Sequence, residues 1–290
     1  MQKLTKEYNT FYEKLAYKHA PINYQYVNLS YPRRDMICKI DYDNDWNTSN
    51  NRANIDKYEL IPACYYSIAE TRTHYYLLYC FYHADDLTHE NDLEGCLLIL
   101  DKEEKVLGMI TVAHWNFYSY SNDLKANQET IDGRLYFEEL NNNKHVMIKQ
   151  EKDKHGLYAW RGAPWYYFWL DKDRKDATGI CYYPSTSAIM PDEHNITNFK
   201  ESRYGYILID ITSDEGFWHR RFNKETFREF GVFNASTSST ANAPWIWDDF
   251  DDRLLPGTIF FDPAVITKKY FKGFEEFDVR YKKKMFDRES

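Results

Sequence analysis

No continuous apolar run in these 290 residues approaches membrane-spanning length. The opening Met1-Gln2-Lys3-Leu4-Thr5-Lys6-Glu7 also lacks the apolar stretch and small-residue cleavage site of a secretory signal. The chain is therefore expected to be soluble, without a transmembrane segment, and either cytoplasmic or released by a signal-independent route. Basic stripes are missing as well. The formal net charge is −8, and the compact basic run Lys282-Lys283-Lys284 reads as a solvated tail. Nucleic-acid backbones need a basic surface, so no nucleic-acid partner is expected. The five cysteines (Cys38, Cys64, Cys80, Cys96 and Cys181) include no close-spaced pair of the kind metal knuckles use. Cys64, Cys80 and Cys96 fall inside apolar segments, which predicts buried free thiols. Neither a Gly-x-Ser-x-Gly elbow, a phosphate loop nor a dinucleotide fingerprint occurs, which removes several common enzyme chemistries.

What the chain does have is material for a large core. Apolar residues make up 43% and aromatics 18%, with 26 tyrosines, so disorder is excluded. Short apolar runs separated by turn residues predict a mainly β chain, a single antiparallel β-sandwich over residues 1–290 with peripheral helices. Leu4, Tyr8, Phe11 and Leu15 recur at helical spacing and predict an amphipathic helix over about 4–18, stopped before Pro21 and packed outside the sandwich. Hairpins are expected over 63–82 with a turn at Thr71-Arg72-Thr73, over 95–118 with a turn at 101–105, and over 135–150. The segment 204–211 reads as a strand, and the aromatic run 160–170 reads as a buried strand, with an exposed membrane- or sugar-binding surface as the alternative. Phe217 to Phe230 has helical spacing closed by Gly231, and turns at Pro256-Gly257 and Asp262-Pro263-Ala264 bracket an expected last strand before a frayed tail.

The chemistry concentrates in Tyr79 to Gly95, where an apolar run ends in an acidic loop and the chain restarts as His89-Glu90-Asn91-Asp92-Leu93-Glu94-Gly95. Alternate strand residues share a face, so Asp92 and Glu94 converge. His89 can bend over that pair, and Asp85 and Asp86 come from the strand end just before it. Oxygen donors with one imidazole suit a hard divalent cation, Ca²⁺ or Mg²⁺ with Mn²⁺ as a third option. A solvated acidic turn with a surface histidine is the alternative. Further candidates for ligand binding or for supporting the ligands are Glu90, His114, His155 and Asp248, of which His114 also reads as a structural histidine. Asp41-Tyr42-Asp43-Asn44-Asp45-Trp46 has the alternate acids of a calcium loop without its glycine and final glutamate, and a structural turn capped by its own asparagines and aspartates is the preferred reading.

His89, Asp92 and Glu94 form a His-x-x-Asp-x-Glu pattern that resembles the Gly-His-Arg-His-Asp-Trp-Glu heptapeptide of the necrosis- and ethylene-inducing-peptide-like family. The chain departs from it at Thr88, Asn91 and Leu93. That resemblance implies a β-sandwich with a divalent metal on the heptapeptide, recognition of a membrane sphingolipid, and a further histidine near the metal at His155 in Lys154-His155-Gly156. The chain is also similar to bacterial proteins related to the vacuolar-sorting-associated-like domain. His19-Ala20-Pro21, Asp41 to Trp46, His89 to Gly95 and Trp247-Asp248-Asp249 carry that similarity. The expected function is divalent-cation-dependent binding of a ligand or membrane, toxin-like, through a lipid or glycan head group. The alternative is a metal-dependent hydrolase in which Glu90 or His155 acts as base on a cation-activated water, and a cation that only staples two strands is the third option.

Overall fold

The structure is a computed structural model in which residues 3–114, 116–123, 131–162, 174–250, 254–271 and 277–284 are described. In chain order the strands begin with β1 (Lys3–Thr5), β2 (Ile22–Tyr26), β3 (Ala63–Thr71), β4 (His74–Asp85), β5 (Glu90–Asp101), β6 (Val106–Ala113), β7 (Asn116–Ser121) and β8 (Phe137–Leu140). They continue as β9 (Asn143–Gln150), β10 (Leu157–Ala159), β11 (Gly179–Pro184), β12 (Ser187–Ile189), β13 (Arg203–Asp210), β14 (Phe227–Glu229), β15 (Val232–Phe233) and β16 (Tyr281–Lys283). The helices are α1 (Phe11–His19), α2 (Asn51–Asn54), α3 (Thr258–Phe261) and α4 (Pro263–Tyr270).

The mainly β architecture with peripheral helices is as expected. Its principal sheet runs β10-β9-β2-β11-β13-β3-β4-β5-β6-β7, with β8 added at β9 and β16 at β3. Most neighbours are antiparallel hairpins, whereas β2 with β9, β11 with β13 and β13 with β3 run parallel. Parallel neighbours need long crossovers, and Ile22 pairs with Met147 at a sequence distance that hairpin reasoning does not reach. The sheet curls until its two ends meet: Tyr118 of β7 and Tyr158 of β10 lie 5.3 Å apart by ring centroid, and Tyr120 Oη donates to the Gly162 carbonyl at 3.0 Å. This closure brings the loop after β9 beside the β4–β5 turn.

The middle strands β4 and β5 are buried almost throughout, on both faces. Tyrosines of β4 and of the neighbouring β3 and β13 help make this tolerable, because their phenols reach polar groups of covering segments. Tyr79 Oη donates to the Ala16 carbonyl of α1 at 2.8 Å, Tyr206 Oη to the Pro21 carbonyl at 2.6 Å, and Tyr65 Oη accepts the Ile40 N–H at 2.9 Å. The five cysteines are free and buried, as expected.

Several local expectations change. The first helix starts at Phe11, because Lys3–Thr5 pairs with Ser187–Ile189 and Thr10 caps the helix in a reciprocal box with Glu13. Phe217 to Phe230 is a short 3-10 turn, an Asn223 turn and then β14, not an α-helix. The phenylalanine spacing serves an aromatic cluster instead, with Phe227–Phe233 at 4.7 Å and Phe217–Trp245 at 5.5 Å, and Gly231, at φ 82°, turns the hairpin between β14 and β15. The expected last strand is helical (α3 and α4), entered through Pro263 at the first position of α4. Tyr281–Lys283 pairs with β3 where a frayed tail was expected. The long strand ending at Tyr118 is two strands, β6 and β7, which separate at His114 with φ 60°. The aromatic strand expected over 160–170 lies outside the described residues from 163 onward. Among the described residues, no helix is long and apolar enough to cross a membrane.

Candidate metal centre

Strands β4 and β5 are in antiparallel register with His83 opposite Asp92 and Phe81 opposite Glu94. The turn between them is tightened by its own side chains: Asp86 accepts from Thr88 N at 2.6 Å and Thr88 Oγ1 at 2.7 Å, and the Asp86 N–H donates to the His89 carbonyl at 3.0 Å. Asn91 then adopts a left-handed φ of 53° that interrupts the pleat. Its fully buried amide meets Tyr82 Oη, and donates to the Asn234 carbonyl at 3.0 Å and Thr240 Oγ1 at 3.1 Å. That interruption separates Glu90 from Asp92 and Glu94, although all three are two apart in sequence.

Asp86, His89 and Asp92 form a group that could hold a metal ion, each offering a ligand atom, with these atoms all within 4.8 Å of one another. Asp86 and Asp92 are buried and His89 is half-buried. The His89 tautomer suits ligation: Nδ1 donates to the Asn91 carbonyl at 2.8 Å, which leaves Nε2 to offer its lone pair 3.7 Å from Asp86 Oδ1. Burial works against the Asp86 charge, and the two Thr88 hydrogen bonds outweigh it and hold the carboxyl below its usual range. Glu94 lines the same cavity, which has a volume of about 440 Å³. Its Oε1 accepts the His114 N–H at 3.1 Å, while buried Oε2 has no hydrogen-bond partner among the described residues. Burial, and then the negative charge of Asp92, push Glu94 well above the usual carboxylate range. A cation would relieve both conditions, since it supplies a partner for Oε2 and offsets the Asp92–Glu94 repulsion.

Beneath this group sits a fully buried histidine. His155 donates from Nδ1 to Asp92 Oδ2 at 2.9 Å and from Nε2 to Asp35 Oδ1 at 3.1 Å, so both ring nitrogens carry protons. Burial alone would lower its pKa; the hydrogen bonds and charges of Asp35 and Asp92 outweigh it and raise the pKa to about 10. The imidazolium stacks at 3.8 Å on His83, whose own pKa is held well below the usual value by burial and by the neighbouring charge. His155 therefore orients Asp92 from behind and is sealed from the cavity.

The other sequence candidates disperse. Asp85 is bound by Arg34 at 3.1 Å and by Arg52, which turns its carboxylate away from the donor group. Glu90 accepts from Ser236 N at 2.6 Å and from Ser236 Oγ. His114 lines the cavity and pairs through Nε2 with Glu151 Oε2 at 3.0 Å; burial lowers its pKa, but Glu151 outweighs this and the net shift is upward. Asp248 is exposed on the cavity rim, and its neighbour Asp249 is buried against Tyr270 Oη. Asp45 and Asp43 cap their own turn by accepting from Asn47 N at 2.7 Å and Asp45 N at 3.3 Å, and Asp43 also accepts from Asn54 Nδ2 of α2 at 2.6 Å. Asp35 and the positioning of Lys154 were not read from the sequence. Asp35 lies in the charged stretch Arg33-Arg34-Asp35, which carries no signal of a buried acid.

The wall opposite β5 comes from Trp247, whose indole N–H donates to the Asn242 carbonyl at 2.8 Å. Trp247 can lie this close because Gly95 has no side chain: a Cβ there would stand 2.5 Å from the Tyr79 carbonyl oxygen and 2.8 Å from Trp247 Cη2. Gly95→Ala is expected to destabilise by about 2 kcal/mol through overpacking against a backbone atom. Urea unfolding checks it, and a loss under about 0.5 kcal/mol, within the range of ordinary surface changes, would contradict the contact.

No protein-family model matches the chain, and neither does any curated protein. The similarity to bacterial vacuolar-sorting-related proteins therefore rests on the sequence stretches alone. Among solved structures the chain is similar to NLPPya in complex with glucosamine, at 14% identity and TM-score 0.33, over 56% of this chain and 72% of that one. It is similar to non-toxic HaNLP3 at 16% identity and TM-score 0.30, over 56% and 80%. It is also similar to Necrosis and Ethylene inducing Protein 2 from the causal agent of cocoa's witches' broom disease, at 17% identity and TM-score 0.28, over 56% and 78%.

Proposed function

We propose that the chain is a divalent-cation-dependent binding protein whose ligand is a hydroxyl-rich head group of a membrane lipid or glycan. The observation that carries this reading is the convergence of Asp86, His89 and Asp92 within 4.8 Å beside Oε2 of buried Glu94, which has no partner among the described residues. Three carboxylates and one imidazole favour Ca²⁺, Mg²⁺ or Mn²⁺ over thiophilic ions. Next to the donors, Ser239, Thr240 and Asn242 bring hydroxyl and amide groups to the cavity, while Trp247 and the exposed Phe250 bring aromatic surface. Hydroxyls, an amide and aromatic faces around a cation suit a sugar ring, and about 440 Å³ accommodates one.

The hydrolytic alternative gains nothing from the geometry. Glu90 is bound by Ser236, and His155 is a protonated ring between two carboxylates, so neither is placed to take a proton from a cavity water. The test is flotation and dye leakage of vesicles with and without glycosylated sphingolipid, in Ca²⁺, in Mg²⁺ and in chelator. Binding is expected to require both the sugar head group and the cation, and to fall about tenfold or more in Asp92→Ala, the size of a lost charge-assisted contact. Binding that persists in chelator would sink the reading. Turnover of phosphate or glycosidic esters that vanishes in Asp92→Ala would replace it with the hydrolase.

A further inference from the structure

Lys154 sits between two residues that the fold holds firmly in place. Its predecessor Asp153, at φ 67°, accepts from Asn28 Nδ2 at 2.9 Å and from Arg34 Nη1 at 3.1 Å, and donates its N–H to Asp35 Oδ1 at 2.6 Å. Its successor His155, at φ 56°, is locked between Asp35 and Asp92. Lys154 is thus flanked on both sides by clamped residues, each in a backbone geometry that side chains seldom adopt unless held. The clamp sends its side chain to the cavity, where Nζ donates to Thr88 Oγ1 at 2.8 Å and lies 3.8 Å from Asp86 Oδ1.

We propose that Lys154 is a tethered competitor for the cation. Resting on the reading of Asp86, His89 and Asp92 as a cation site, this assigns to Lys154 the concentration at which that site fills. An ammonium next to Asp86 offsets part of the repulsion among the carboxylates. It cannot replace a divalent ion, because its contacts with Thr88 and Asp86 leave Glu94 Oε2 without a partner among the described residues. When a divalent ion binds, two positive charges cannot share Asp86, and the flexible four-carbon stem lets the ammonium swing into solvent, where 37% of the side chain already lies. The displacement weakens every ion by a similar amount. Ions with few or weak bonds to the site lose most of their occupancy, and a divalent ion that engages all the donors keeps its own.

Calorimetric titration of the metal-free full chain with MnCl₂ and CaCl₂ tests this in wild type, Lys154→Met, Lys154→Arg and Asp92→Asn. Lys154→Met is expected to bind about tenfold more tightly, the effect of removing one partly screened charge a few ångströms from the ion. Lys154→Arg keeps the charge and should stay near wild type, and Asp92→Asn should give no binding heat. The metal-free Lys154→Met protein should also melt below wild type, since its carboxylates have lost their counter-charge. Equal or weaker binding by Lys154→Met, with wild type still binding, would overturn the competitor and leave the site standing. Absence of binding in wild type and Lys154→Met alike would remove the site and the competitor together.

Discussion

His155→Asn is expected to cost about 3–5 kcal/mol of folding stability, the usual consequence of removing one partner from a buried ion pair. Asparagine keeps the tolerance for the left-handed φ of 56°, so backbone strain does not account for the loss. What disappears is the positive charge between Asp35 and Asp92, leaving Asp35 buried without its imidazolium and Asp92 facing Glu94 with nothing behind it. The N–H groups of Asn28 at 2.7 Å and Asp153 at 2.6 Å still serve Asp35, but they carry no formal charge. Urea unfolding with an unchanged slope reads the loss. The double variant His155→Asn/Asp35→Asn should lose less than the sum of the two single changes, because the three groups act as one unit. A single-variant loss below about 1 kcal/mol would mean that the pair does not stabilise the fold as described.

The second large effect belongs to the cation. An ion that binds the folded chain and not the unfolded one adds about 2.7 kcal/mol at a hundred times its dissociation constant. For a chain of this size that corresponds to a rise in Tm of about 5 °C. Chelation at matched ionic strength should remove that increment from wild type and change nothing in Asp92→Asn, whose baseline is lower because it also loses the bond to His155. His89→Ala should likewise become insensitive to chelator, and it separates ligation from the buried pair because His89 has no contact with His155 or Asp35 comparable to that of Asp92. Identical wild-type melting curves with and without chelator would contradict the cation's place in the fold.

The alternation that puts Asp92 and Glu94 on one face was legible because it needs only the strand period, and the structure keeps both side chains at one cavity. By the same rule Glu90 would share that face, but the left-handed Asn91 between it and Asp92 is held by Tyr82, Thr240 and Asn234, none of them local in sequence. Asp85 and Asp86 are indistinguishable in a sequence, and only the arrival of Arg34 and Arg52 from the β2–β3 crossover decides that Asp85 is held by two guanidinium groups while Asp86 stays at the cavity. The buried partner of His155 was invisible for a related reason. Asp35 follows two arginines after a proline, a pattern of surface charge, and the parallel pairing of β2 with β9 that buries it is a long-range event. The false helix at Phe217 shows the converse: aromatic spacing set by a cluster around Trp245 imitates a helical period across a turn.

The most direct test is elemental analysis of the purified full chain after dialysis against buffer containing Ca²⁺, Mg²⁺ and Mn²⁺ and then against metal-free buffer. One divalent ion per chain in wild type, and none in Asp92→Asn or Asp86→Asn, is the result expected of Asp86, His89, Asp92 and Glu94 acting as one donor set. A wild-type chain that retains no ion, or an ion that survives both substitutions, would contradict it.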